Sequence, residues 1–136
     1  MGVEPWLWSF EEFQSPSGRN SISDWRRGLS PARRAVMDVF FDRIAKMEKW
    51  PTGMCDPIRG HHPGCWELRW VAEKVQHRIF GYYSGDRLFV MLIGCTHKQQ
   101  VYDPPEAFQT LKDRKRKISQ GEGAAVRYEP QQITGD

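Results

Sequence analysis

The sequence predicts an α+β fold in the order β-α-α-β-β-β-α, with a mostly antiparallel sheet and the helices packed on one of its faces. Three observations carry this. Two helical segments lie together between residues 21 and 49, three strand-like segments follow one another between 65 and 94, and turn formers separate them. A chain of 136 residues suits one modest core, and no internal repeat is present. The expected division is a domain over 1–120 and a flexible polar tail over 121–136, where GEGAAVRYEPQQITGD has no periodicity.

Each element has a local reason. WLWSF at 6–10 is short, aromatic and bounded by Pro5, and reads as the first strand. QSPSGRN at 14–20 is loop chemistry, and SISDWRRGL at 21–29 is a short helix capped by Ser21 or Ser23. Ser30 caps the next helix and Pro31 occupies its first turn, where a missing N–H costs nothing. Ala32, Val36, Val39, Phe40, Ile44 and Met47 recur at three- and four-residue intervals and define its apolar side to about residue 49. Pro51 and Gly53 stop it, and 54–64 is a loop.

CWELRWV at 65–71 alternates, so Trp66, Leu68 and Trp70 share one sheet face and Glu67 and Arg69 the other. AEKVQ turns the chain, HRIFGYY at 77–83 returns, and SGD at 84–86 makes a tight turn in which Gly85 takes positive φ. RLFVMLIG at 87–94 is apolar on both faces, as a central strand is. Pro104 and Pro105 open the last helix, with Phe108, Leu111 and Ile118 on one side and the basic run KDRKRK at 112–117 on the other.

Hydrophobic residues are 39% and charged residues 27%, a soluble globular balance. No apolar run approaches the ~20 residues that span a membrane, and the N-terminal stretch lacks the basic start of a secretory signal. Three cysteines, Cys55, Cys65 and Cys95, are an odd and sparse set, which points to reduced thiols and a cytoplasmic location. The net charge of +3 is mild. Cys55, His61, His62 and Cys65 are all ligand types, but their spacing matches no standard zinc knuckle, so no metal and no cofactor is expected.

Four stretches together resemble the RelE/HigB toxin superfamily, in its phage-derived HigB-like branch. They are SISDWRRGLSPARRAVMDVFFDRI, CWELRW, HRIFGYY and LFVMLIGCTHKQQVYDPPEAFQTLKDR, within residues 6–118. Where that branch usually has Phe and two lysines after its fourth strand, this chain has Thr96, His97 and Lys98. The resemblance implies the toxin of a type II toxin–antitoxin pair, a metal-independent, ribosome-associated mRNA endonuclease. Its partners would be a cognate antitoxin, expected to be a helix-turn-helix protein, together with mRNA and the ribosome. The same scaffold also carries toxins that bind DNA gyrase without enzymatic action, and it can be repurposed as a phage or plasmid binding protein.

RNA cleavage without a metal needs a base for the ribose 2′-hydroxyl, cations for the phosphorane and an acid for the leaving oxygen. Arg69 and Arg78 are the cation candidates, because a guanidinium fork suits two phosphate oxygens. Arg78 matches the branch's third-strand arginine and is expected on the exposed sheet face. The alternative is a surface cross-strand bridge from Glu67 to Arg69 or Arg78. His97 and Lys98 lie where the family places active-site residues, His97 as base or acid and Lys98 as charge stabiliser or, with a lowered pKa, as the proton acceptor. Tyr102 is a candidate to stack a base or donate a proton, and Lys112, Arg114 and Lys115 are candidates for RNA contact. His77 should point to the opposite face from Arg78.

Overall fold

The computed structural model describes residues 5–131. It is α+β. Its strands are β1 (Ser9–Gln14), β2 (Cys55–Pro57), β3 (Trp66–Ala72), β4 (Val75–Tyr83), β5 (Leu88–Lys98), β6 (Val101–Asp103) and β7 (Ala124–Tyr128). The helices are α1 (Ser21–Arg27), α2 (Pro31–Ala45) and α3 (Ala107–Ser119). The strands form one sheet in the order β2-β3-β4-β5-β1-β7, with β6 also paired to β5. β1 runs parallel to β5, and the other pairs are antiparallel.

The helices do not share one face. α1 and α2 cover a cluster containing Phe10, Phe41, Leu68, Trp70, Ile79 and Met91, whereas α3 covers a second cluster with Phe13, Phe80, Val90, Leu92 and Leu111. The expectation of a single helical layer fails because β5 is buried from Phe89 to Cys95 without a break. A strand apolar on both sides must be covered on both sides. On the α1 side Gly94 permits the close approach, since a Cβ there would stand 2.3 Å from the Trp25 ring.

The first strand begins later than the aromatic run predicts. Trp6 and Trp8 precede β1 and hold the end of α2, their indole N–H groups donating to Asp42 Oδ1 at 3.0 Å and to the Met47 carbonyl at 2.8 Å. β1 itself is SFEEFQ, and its paired glutamates hide it from a hydrophobicity reading. Glu12 is 1% exposed, and its carboxylate explains the burial. It accepts from the Ile22 and Ser23 N–H groups at 2.9 and 2.8 Å and from the Ser23 hydroxyl at 2.7 Å. The cap of α1 thus comes from a neighbouring strand, not from Ser21 or Ser23, and Asn20 at the N-cap makes no side-chain capping bond. Glu12→Ala is expected to destabilise the fold by about 2–3 kcal/mol, as three charge-assisted acceptor contacts are lost. Urea unfolding midpoints measure this, and a shift no larger than that of an exposed-residue control would refute the capping role.

α2 starts as expected, with Ser30 Oγ accepting from the Arg33 N–H at 3.2 Å and Pro31 in the first turn. It ends at Ala45 rather than near 49, and its buried side is rotated from the predicted one. Met37, Phe40, Phe41, Ile44 and Ala45 are buried, while Val36 and Val39 are 38% and 54% exposed. Burying Phe40 and Phe41 together removes more apolar area from water than the two valines offer.

Residues 121–136 do not form a free tail throughout. Ala124–Tyr128 pairs with β1 as β7, and Tyr128 is buried beside Phe41. The expectation for 132–136 lies outside the described residues. Among the described residues, no helix is long and apolar enough to cross a membrane.

Candidate active site

The face of the sheet toward α3 collects the polar residues that the sequence singles out. Strand alternation and register do the collecting. Arg69 on β3 stands opposite Arg78 on β4, Arg78 opposite Cys95 on β5, and His97 on β5 opposite Tyr102 on β6. The last pairing depends on a tight turn at Gln99 and Gln100, both at positive φ (51° and 67°), which folds β6 back onto β5. The expected loop after residue 94 is therefore strand as far as Lys98.

Of these groups, Arg69, Arg78 and Tyr102 border a cleft of about 530 Å³ whose walls also include Asp56, Arg59, Glu67 and Phe108. Arg78 is its centre. Its Nη1 lies 3.0 Å from Glu67 Oε1 and donates to Tyr102 Oη at 3.0 Å, while its Nη2 donates to Gln76 Oε1 at 2.7 Å. Arg69 bonds Asp56 and lies 3.6 Å from Glu67 Oε1. Asp56 is oriented in turn by the Gly53 N–H, which both its oxygens accept, at 3.2 and 3.0 Å.

The bridge from Glu67 to both arginines is present, but it is not a surface bridge. Only 11% of the Arg78 side chain and 10% of the Glu67 side chain reach solvent. The expectation of an exposed Arg78 fails because Tyr102 and β6 fold over it. Arg69 Nε and Arg78 Nε are buried and make no hydrogen bond among the described residues. Arg78 thus keeps one donor unsatisfied in a desolvated setting, while Arg69 Nε faces Glu67 at ion-pair distance.

Burial decides the acid–base character of the cleft. It pushes the Glu67 carboxyl above the ordinary glutamate range, against the pull of Arg78 and Arg69. It raises the Tyr102 phenol, again opposed by Arg78. His97 is lowered, by burial and then by Arg78, and its ring stacks on Tyr102 at 4.1 Å between centroids. Cys95, beside Arg78 in the register, is pushed up to about 12 by burial and so stays a thiol.

Of the sequence candidates, Arg69, Arg78 and Tyr102 meet in the cleft, and His97 supports Tyr102 from its edge. Lys98 does not join them. It is exposed at the end of β5 and, one residue past His97, points to the other sheet face. Arg114 is turned inward, donating to the Leu92 carbonyl at 2.7 Å with its guanidinium 5.1 Å from the Phe13 ring centroid. It holds α3 to the sheet and is not a surface cation. Lys112 and Lys115 line a separate groove. His77 is fully buried on the opposite face, stacked on Trp70.

Sequence reasoning missed Asp56 and Phe108 as cleft residues and weighed Glu67 only as a bridge. The alternation of Glu67 with Trp66 and Leu68 placed it on the right face, but no local signal marks Cys55–Pro57 as a strand. Comparison with protein-family models, curated proteins and solved structures found no match to this chain.

Proposed function

We propose that the protein is a metal-independent endoribonuclease of the RelE/HigB toxin type, acting on mRNA in the cleft around Arg78. The observation that carries this reading is the contact of one guanidinium nitrogen with both a buried carboxylate and a phenol, Arg78 Nη1 lying 3.0 Å from each. These three groups are a cation, a proton acceptor and a proton donor. Glu67 takes the proton of the ribose 2′-hydroxyl as that oxygen attacks the adjacent phosphorus. Tyr102, whose raised pKa keeps it protonated, gives its proton to the departing 5′-oxygen.

The ion pair makes the two halves of the chemistry cooperate. While Glu67 is ionised, it offsets the charge of Arg78. Once Glu67 is protonated, Arg78 is released to face the phosphorane oxygens at the moment their charge develops. His97 stacks on Tyr102 and positions it. In the cell the reading implies a ribosome-bound substrate and an antitoxin that blocks the cleft.

The test is cleavage of single-stranded RNA in the presence of chelator, with a 2′,3′-cyclic phosphate as the expected product end. Because Glu67 must be ionised to accept the proton, the rate should rise with pH through its raised pKa, giving an acid limb above the ordinary glutamate range. Glu67→Gln should remove that limb and slow cleavage about a hundredfold or more. Intact RNA after prolonged incubation with soluble protein, both free and on programmed ribosomes, would overturn the activity. An unchanged pH profile in Glu67→Gln would overturn the role of Glu67 alone.

A further inference from the structure

A second groove, of about 370 Å³, lies between the loop at 61–65 and one side of α3. Its floor is apolar, formed by the buried Leu111 and Cys65, and its rim is cationic, formed by Lys112, Lys115 and Arg116. The helical spacing of 111, 112, 115 and 116 puts floor and rim on one side of α3. Among the described residues, no carboxylate lines the groove. Arg116 is paired with Asp113, but Lys112 and Lys115 make no ion pair among the described residues. In the cleft, by contrast, Arg69 and Arg78 face Asp56 and Glu67. The cleft sets three arginines, Arg59, Arg69 and Arg78, against two carboxylates, whereas the groove sets three cations against none, so the larger excess of positive charge sits in the groove.

Lys115 is already held in place. Its Nζ donates to the Pro63 carbonyl at 3.2 Å and lies 5.8 Å from the Tyr82 ring centroid. Groove and cleft also share a wall, since His62 lines the first, Phe108 lines the second, and their rings stack at 5.1 Å and 28°. A chain leaving the cleft over this pair of rings enters the groove directly.

We propose that the groove is a nucleotide subsite, which holds the single strand beside the reacting phosphate by a phosphate on Lys112 and Lys115 and a base on the apolar floor. This rests on the RNA reading of the cleft. A purely acidic peptide would use the rim but gain nothing from the floor, whereas a nucleotide uses both.

The probe is a short fluorescent single-stranded oligonucleotide with hydrogen in place of each 2′-hydroxyl, which cannot be cleaved by this chemistry. Its affinity is measured over a range of salt concentrations. The Lys112→Gln/Lys115→Gln double variant should bind about tenfold more weakly, with the slope of log affinity against log salt reduced by about 0.7, for the one phosphate lost. Lys49→Gln, on the α2 side of the molecule, should keep the parent's slope. A parental slope in the double variant overturns the subsite, as does a parent protein that fails to bind. Equal displacement of the probe by a length-matched polyglutamate overturns it in favour of a general acidic-protein surface. Cleavage with an unchanged slope sinks the subsite alone. A lost slope without any cleavage of RNA sinks the active-site reading and leaves the subsite.

Discussion

Replacing Arg78 with lysine is expected to give a folded protein that cleaves RNA about a hundred- to a thousandfold more slowly than the parent. Lysine keeps the charge that balances Glu67, so the buried carboxylate is not left alone. It has no planar fork, however, and a single ammonium cannot hold Glu67, Tyr102 and Gln76 where Arg78 holds them. Single-turnover cleavage beside a thermal melt separates the two effects, and a parental rate would remove Arg78 from the mechanism. Alanine is the poorer test. Arg78→Ala strands a carboxylate whose side chain is only 10% exposed, with Arg69 at 3.6 Å as its remaining cation, and should cost roughly 3 kcal/mol of stability. Its inactivity would therefore mix lost chemistry with lost fold.

Gly81→Ala should produce the largest loss of stability, about 3 kcal/mol or more, without touching any cleft residue. A Cβ at Gly81 would lie 2.0 Å from the Val90 carbonyl oxygen and 2.8 Å from the Phe89 ring. The first of these atoms is backbone in the neighbouring strand and cannot swing aside. The pairing of β4 with β5 shifts register between Phe80 and Gly81, so the change strikes where the ladder is already irregular. Thermal and urea unfolding measure it, and a melt indistinguishable from the parent's would refute the close approach.

The sequence is most legible where local chemistry and tertiary packing agree. Ser30 and Pro31 start α2 by rules that need no neighbours, and the alternation of Trp66 to Trp70 assigns Glu67 and Arg69 to the face that carries the cleft. It is least legible where a distant element decides. Glu11 and Glu12 argue against a strand until Glu12 is seen to cap α1. The stripe on α2 is rotated by the demands of two adjacent phenylalanines. Gln99 and Gln100 carry none of the Asn-Gly or Asp-Gly chemistry of tight turns, yet they adopt its backbone, and so β6 and the true setting of Tyr102 stay hidden. The same holds for Arg114, whose place in a basic run suggests solvent while the Leu92 carbonyl draws it inward.

The parallel pairing of β1 with β5 bears on how the chain acquires its fold. Ser9 is matched with Leu88, so the first strand waits for a partner far along the sequence. β7 then joins β1 on its other side, and only near residue 128 is that strand flanked on both edges. Such non-local closures must meet their loop entropy before the contacts repay it, which slows folding. A chain growing from the ribosome cannot complete its sheet until Tyr128 has emerged. Synthesis itself thus sets when the closed sheet can first form.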